Sequence, residues 1–216
     1  METTPATPVQ KSPFKMKSMA LGCLGVLIIG IVAIALFGVG SYNKLVKLDQ
    51  DVKSAWAQVE NVYQRRSDLV PNLVETVKGA ANFEKETYTA VTEARAKAGQ
   101  TKIDASQLND PAAFAKFQQA QDQLGGALSR LLVTVEKYPD LKATANFQEL
   151  QSQLEGTENR ITVERQRFND AANAFNKKRN TFPTVLIAGF FGSKFAEKAY
   201  FKAVEGSDVA PKVKFN

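Results

Sequence analysis

Residues 19–39 read MALGCLGVLIIGIVAIALFGV, and this stretch decides the first part of the fold. It lies within 26 consecutive residues, between Lys17 and Lys44, that contain no Asp, Glu, Lys or Arg. A helix over Met19–Val39 is roughly 31 Å long at ~1.5 Å per residue, which matches the hydrocarbon thickness of a bilayer. The stretch therefore predicts a transmembrane helix, which we place at residues 18–41, behind a disordered tail at residues 1–17.

A cleaved signal peptide is the main alternative to a retained anchor. Such a peptide has an apolar stretch of about 7–15 residues followed by a small-residue cleavage site. Ala33-Ile34-Ala35 has the composition of such a site, but the apolar run continues through Leu36, Phe37 and Val39. A lipoprotein signal would carry its cysteine at the end of the run, whereas Cys23 lies near the start. We therefore expect an uncleaved, single-pass anchor in a lipid bilayer.

The sequence leaves open the side of the membrane on which the rest of the chain lies. The positive-inside rule counts Lys and Arg near the ends of a span. Here the count is tied at three lysines on each side: Lys11, Lys15 and Lys17 before the span, and Lys44, Lys47 and Lys53 after it.

After the anchor, four segments carry apolar residues at alternating spacings of three and four. This spacing is typical of helices packed along a 3.5-residue seam and differs from the alternation of a strand. In chain order, the residues on the seams of the four segments are Leu45, Leu48, Val52, Ala55, Val59, Val62; Leu73, Val77, Ala80, Tyr88, Val91, Ala94, Ala98; Phe114, Phe117, Gln121, Leu124, Leu128, Leu131, Val135, Tyr138; and Phe147, Leu150, Leu154, Thr157, Ile161, Glu164, Phe168, Ala171, Phe175.

Breaks between the segments complete the predicted architecture. Asp68-Leu69-Val70-Pro71 is expected to end the first helix and start the second, with a kinked continuous helix as the alternative. Further breaks are expected at Gly99–Pro111, where Asp110 caps the third helix, at Tyr138-Pro139-Asp140 and at Asn180–Pro183. Short connections between long helices predict an all-α protein whose residues 42–183 form an antiparallel, up-and-down four-helix bundle.

Residues 184–216 are expected to form a C-terminal extension on the membrane-side end of the bundle. It begins with the apolar run 184–191, which is too short to span a bilayer and follows the basic cluster Lys177-Lys178-Arg179. The run has two interpretations. It caps the core of the bundle, or it enters the lipid interface beside its basic neighbours.

The composition argues against most enzyme classes. The chain contains no His, the commonest general base and metal ligand, and one Cys among 216 residues. It has no phosphate-binding GxxxxGK[ST] motif and no GxSxG motif. Its net charge of +6 comes from Lys and Arg interleaved with Glu and Asp, which does not indicate nucleic-acid binding. We therefore predict no catalytic residues, no cofactor and no metal site.

Polar residues on the predicted seams are the candidates for a binding site. Gln121, Thr157 and Glu164 fall at apolar positions, where they either line a polar ligand pocket or fix the register of packed helices; Glu164 can also lie outside on a rotated face. Trp56 is expected to pack in the core. The charged run Glu164–Arg167 is expected to be a solvated face, with a surface that binds an acidic partner as the alternative. Gly125-Gly126 indicates either a close helix approach or a bend.

We call the part of the chain that follows the anchor the body. Several motifs in the body resemble the LemA family of bacterial membrane proteins. They are 55–61 AWAQVEN, 63–66 YQRR, 68–74 DLVPNLV, 128–132 LSRLL, 138–142 YPDLK, 158–161 ENRI, 182–183 FP and 211–215 PKVKF. The resemblance implies an N-terminal helix in a bacterial inner membrane, a helical-bundle body on the cytoplasmic side, and no established catalytic residue. Where family members often have Tyr-Ala-Ala-His-Glu, this chain has Phe83 at the His position, so chemistry assigned to that His is absent here.

Two hypotheses for function follow. The first is a non-enzymatic docking or scaffold protein that binds other proteins of the bacterial envelope, suggested by an anchor joined to a heptad-patterned body. The alternative is a sensor of small ligands or peptides, with a polar pocket around Gln121 and Thr157 in the bundle core.

Overall fold

The computed structural model describes residues 14–80 and 83–202, and it describes side chains from Leu24 onward. Every regular element in these residues is helical, as the sequence predicts. The α-helices are α1 (Phe14–Lys78), α2 (Lys85–Gln100), α3 (Pro111–Val135), α4 (Pro139–Lys142), α5 (Ala145–Asn180) and α6 (Thr184–Phe190). Two short 3₁₀ turns, Ala105–Gln107 and Gly192–Phe195, complete the set.

The chain divides into two compact units, Met1–Lys44 and Leu45–Asn216. The first unit contains the apolar part of α1. By length and composition, α1 is long and apolar enough to cross a membrane, and only 6% of its most apolar stretch is buried. Most of the predicted tail, residues 1–13, lies outside the described residues, as does the end of the predicted C-terminal extension, residues 203–216.

The predicted break at Asp68–Pro71 is wrong, because α1 continues through Pro71 to Lys78. Proline lacks the N–H that would bond the carbonyl four residues earlier, which leaves a helical acceptor without its donor. Here that acceptor is the Ser67 carbonyl, and Arg95 of α2 donates its Nε–H to it at 2.8 Å. The side chain of a neighbouring helix thus replaces the missing bond, and the helix does not need to end.

The first interruption falls instead after Lys78, and α2 starts at Lys85. The sequence predicts the later boundaries better. The α3 helix starts at Pro111, and the Asp110 carboxylate caps it by accepting from the Ala112 and Ala113 N–H groups at 2.9 and 3.1 Å. The α5 helix ends at Asn180, where the fourth break is predicted.

An aliphatic cluster forms one part of the core. It gathers residues from α1, α2, α3, α4 and α5, among them Leu73, Val77, Val91, Leu124, Leu128, Leu131, Leu141, Phe147 and Leu154. Phe83, at the position where the resembling family has His, is buried against this cluster with its ring centroid 4.9 Å from that of Tyr138. The position therefore contributes packing in this chain.

Aromatic rings form another part of the core. Trp56 is fully buried, as predicted, and its ring lies 5.3 Å from Phe117, 5.4 Å from Phe168 and 5.8 Å from Phe114. Phe201, from beyond the last helix, lies 4.7 Å from Phe114. Edge-on and offset ring pairs at these separations are favourable beyond the area they bury.

An extended segment, residues 196–202, crosses the body after α6 and is held by side-chain amides. Asn176 accepts from the Lys198 N–H and donates to its carbonyl, both at 2.9 Å. Asn169 bonds both main-chain groups of Phe201 in the same way, and Gln118 does so for Lys202. Asn176 and Asn169 thereby pair main-chain groups of the buried residues Lys198 and Phe201, which would otherwise lack partners, and Gln118 pairs those of the exposed Lys202.

The apolar run 184–191 is divided between two environments. Thr184 and Ala188 of α6 are buried, while Leu186 and Phe190 are exposed. The short helix therefore covers part of the body with one face and leaves apolar side chains on the other.

We expect Arg95→Met to destabilise the chain by about 1–2 kcal/mol, because the Ser67 carbonyl loses its only replacement donor. In a Pro71→Ala background, residue 71 regains its N–H and the helical bond to Ser67, so Arg95→Met should cost less. Thermal unfolding of the four full-length variants in detergent measures the coupling. Equal costs in the two backgrounds would contradict this account of the uninterrupted helix.

Candidate functional site

A buried arginine joins α1 to α3 and α5. Arg66 is 3% exposed, and its Nη2–H group donates to the Gln121 side-chain oxygen at 2.7 Å and the Gln121 carbonyl at 3.0 Å. Its Nη1–H group donates to Glu158 Oε1 at 2.9 Å. A Cβ added to Gly125 would lie 3.5 Å from Nη1, so this glycine faces the guanidinium. Charged hydrogen bonds of this kind are stronger than neutral ones and fix geometry as well as distance.

A second arginine lies next to the first. Arg165 of α5 donates from Nε to the Tyr63 hydroxyl at 2.6 Å and from Nη2 to the Asp122 carboxylate at 2.8 Å. The guanidinium carbons of Arg66 and Arg165 lie over the Tyr63 ring, 5.1 and 5.7 Å from its centroid. Burial raises the pKa of Tyr63 above its ordinary value, which keeps its hydroxyl neutral as an acceptor for Arg165.

The pKa of Arg165 depends on burial and on the contacts of Arg165 with Tyr63 and Asp122. Burial by itself would lower the pKa of this guanidinium, but Tyr63 and Asp122 outweigh it and raise the pKa above its ordinary value. The predicted solvated face at Glu164–Arg167 is therefore wrong for Arg165, which turns inward. It is right for Arg167, which is exposed and pairs with Glu164.

Only one of the three predicted seam residues joins this arginine pair directly. Gln121 binds Arg66, whereas Thr157 is buried and donates to the Gln153 carbonyl of its own helix at 2.7 Å. Glu164 is half-buried, and its carboxylate accepts a hydrogen bond from Arg167. The structure does not bring Gln121 and Thr157 together as two walls of one pocket.

On each of the three helices, the polar residues of this network lie between aromatic and aliphatic core residues. On α1, the aromatic Trp56 precedes Arg66 and the aliphatic Leu73 follows it; on α3, Phe117 precedes Gln121 and Leu128 follows. On α5 the order is reversed, with Leu154 before Glu158 and Phe168 after Arg165. A polar layer thus lies between the aliphatic and the aromatic parts of the core.

A cleft adjoins the polar layer. It holds about 170 Å³ between α1, the end of α2, the following loop and α3, and its polar lining includes Glu60, Tyr63, Lys102 and Gln121. Partial burial is the main cause that raises the pKa of Glu60 above its ordinary value. The cleft is large enough for a few waters or a small polar molecule. Within the described residues, no group of three or more Cys, Asp or Glu side chains could hold a metal ion.

A buried ion pair fastens the extended segment 196–202 to α1. The Lys198 ammonium lies 2.7 Å from one Asp49 oxygen, Lys53 lies 2.8 Å from the other, and Lys198 lies over the Phe175 ring at 5.0 Å. Burial by itself would raise the pKa of Asp49, but hydrogen bonds from Lys198 and Lys53 outweigh it, so the pKa is lowered. The carboxylate stays ionised in a site that would otherwise favour its neutral form.

Sequence reasoning missed Arg66, Arg165 and the Asp49–Lys198 pair. The signal for Arg66 is present, because the first seam continues at the same spacing from Val59 and Val62 to residue 66 and on to Leu69 and Leu73. Ending the first helix near Asp68 cut this series short. Asp49 carries no such signal, since its partner comes from a segment with no helical period.

Comparison with known proteins places the chain in a family. The model described as LemA family matches residues 55–215. The protein named Protein LemA from Metamycoplasma hominis is 26% identical over 150 residues, which cover 69% of this chain and 64% of that protein. The match therefore spans less than two thirds of the relative's length.

Asp49→Asn is expected to change how stability depends on pH. Because the pKa of Asp49 is lower in the folded than in the unfolded chain, its stabilising contribution is complete above the unfolded pKa and is lost as pH falls towards the folded pKa. At neutral pH the variant should lose about 3 kcal/mol, since Lys198 stays buried without its partner carboxylate. Thermal unfolding from neutral pH to about pH 3 should then show a flatter acid limb than in the parent chain.

The control for this variant is Asp51→Asn, which removes an exposed carboxylate from the same helix. It should leave both the neutral stability and the acid limb close to those of the parent chain. Identical profiles for the two variants would contradict the role given to Asp49.

Proposed function

This chain belongs to the LemA family, and from that premise we propose that it is a single-pass protein of the bacterial inner membrane whose body is a non-enzymatic docking platform for other envelope proteins. Family membership supports a membrane-associated protein, and the LemA family is not known as an enzyme family. The platform role and its protein partners are the steps that the proposal adds.

The apolar start of α1 supports the membrane anchor. Its large side chains from Leu24 to Val39 are exposed, and the helix that carries them continues to Lys78. A core helix of a soluble protein would bury such side chains, whereas lipid accepts them without a protein partner. We take the anchor as retained, with residues 18–41 in the bilayer.

The order of contacts along the helices supports an antiparallel, up-and-down four-helix bundle. Tyr63 of α1 contacts Phe117 of α3, and Arg66 contacts Gln121. The residue numbers of the contacting pairs increase together on the two helices, which indicates that α1 and α3 are parallel. In the other two pairings one number rises as the other falls, which indicates antiparallel helices. The pairs are Trp56–Phe168 and Arg66–Glu158 between α1 and α5, and Ser67–Arg95 and Lys78–Tyr88 between α1 and α2.

The observation that carries the platform role is the internal pairing of the polar layer. The Nη groups of Arg66 donate hydrogen bonds to Gln121 and Glu158, and Arg165 donates to Tyr63 and Asp122. A catalytic or ligand-binding arginine needs donors directed at a substrate, whereas a pair bonded across three helices fixes their register. The layer therefore favours a rigid support whose outer surface does the binding.

Photo-crosslinking in cells tests the platform. A crosslinking residue at Val133 or Val163, both exposed on the body, should capture the same envelope protein reproducibly from the membrane fraction. The matched control carries the crosslinker at Val39 in the apolar part of α1, which should not capture that protein. Capture of only further copies of this chain, or of no protein specific to the body positions, would contradict the platform.

The cleft beside Gln121 is the observation that favours the alternative, a sensor of small ligands. Under this alternative, a small polar metabolite would raise the free energy of unfolding of the full-length chain by ~2.7 kcal/mol at a hundredfold excess over its Kd, and the unfolding midpoint would shift upward with it. Lys102→Met should abolish the shift because Lys102 lines the cleft, and Lys116→Met, which removes an exposed lysine of α3, should keep it. On the platform proposal, we expect no metabolite in a panel to produce a shift with this pattern.

A further inference from the structure

Apolar side chains are concentrated on the outer face of α6 and its flanks. We name this surface the α6 patch and define it by Phe182, Val185, Leu186, Phe190 and Phe191, all exposed. Phe190 is 85% exposed and Leu186 is 65% exposed, although Thr184 and Ala188 of the same helix are buried. Contiguous exposed apolar surface of this kind marks a site of interaction.

The body holds the patch firmly in place. Gly192 has φ +54°, a conformation open to glycine, and it turns the chain from α6 into the following 3₁₀ turn. That turn buries Phe195, whose carbonyl accepts from Arg179 Nε at 2.6 Å and whose ring lies 5.9 Å from Phe191. The exposed side chains thus stand on a tethered turn.

Along the chain, the charges that flank the patch most closely have one sign. Residues 171–196 contain four cations and no Asp or Glu. The cations are Lys177, Lys178, Arg179 and Lys194. Asp170 and Glu197 are the nearest acids along the chain. An apolar surface with a basic border is complementary to an anionic lipid surface, where the acyl boundary takes the apolar groups and the phosphates take the cations.

The patch lies at the end of the body that follows the anchor along the chain. Lys198 contacts both Asp49 and Phe175, and the Phe175 ring lies 6.5 Å from Phe195, which packs against Phe191 of the patch. Asp49 comes four residues after Leu45, where the body unit begins. The patch therefore lies at the end of the body that holds its first residues.

We propose that the α6 patch inserts into the interfacial region of an anionic bilayer and gives the body a second contact with the membrane. The inference rests on the proposed anchor and adds a lipid-binding site to it. The insertion is shallow, because a seven-residue helix cannot cross the hydrocarbon. A spanning helix is already inserted almost irreversibly, so the patch adds a lipid contact for the body and not a stronger hold on the membrane.

Lipid-quenching of a fluorophore tests the patch in the full-length chain. In a Cys23→Ser background, which removes the only cysteine, an environment-sensitive label is attached after Leu186→Cys or after the control substitution Val133→Cys. Leu186 and Val133 are aliphatic and have similar exposures of 65% and 70%, so the two labels differ chiefly in position. The protein is reconstituted into phosphatidylcholine–phosphatidylglycerol vesicles that carry a spin-labelled lipid quencher.

We expect the label at Leu186 to emit further to the blue and to be quenched by the lipid, and the label at Val133 to show neither effect. Reversal of charge by Lys177→Glu together with Lys194→Glu should reduce the quenching at Leu186. Equal quenching at Leu186 in vesicles of phosphatidylcholine alone would overturn the role given to anionic lipid.

A third label, after Val39→Cys, separates failure of the patch from failure of the anchor. If the Val39 label is quenched and the Leu186 label behaves like the Val133 label, the patch proposal is overturned and the anchor stands. If the Val39 label is not quenched, the anchor is rejected, and the patch proposal with it. A blue shift at Leu186 without lipid quenching would assign the patch to a protein contact, which also overturns the proposal.

Discussion

The buried guanidinium of Arg66 is the constraint on which the body depends. It cannot be left without partners in a core, because an unpaired buried charge costs more than the packing around it returns. Its partners come from α3 and α5, so the three helices meet in one register. Gly125 of α3 faces the guanidinium, and a Cβ at this position would be in van der Waals contact with it. The apolar residues on either side of this layer then have fixed neighbours.

This constraint also bears on function. The described core commits Arg66 and Arg165 to bonds between its own helices. Three surfaces remain as candidate places of interaction: the outside of the body, the cleft beside Gln121 and the α6 patch. The proposals above assign these three surfaces to protein partners, to an alternative small ligand and to lipid.

The sequence was sufficient to predict the all-helical class, the apolar first helix and the boundaries at Asp110 and Asn180, because each depends on local composition. It was not sufficient at Pro71, where the local rule predicts a break and a side chain 24 residues later supplies the missing bond. That single error also hid Arg66, which falls on the same seam once the helix is continued. Contacts between residues far apart in sequence, such as Asp49 with Lys198, leave no periodic signal to read.

The amides that hold residues 196–202 have a consequence for how the protein behaves at high concentration. An extended chain normally offers a row of free main-chain donors and acceptors, to which a strand of another molecule can add and begin aggregation. Here Asn169, Asn176 and Gln118 already occupy both groups of Phe201, Lys198 and Lys202. The segment is thereby protected from intermolecular β-pairing at these three residues, without a sheet to shield it.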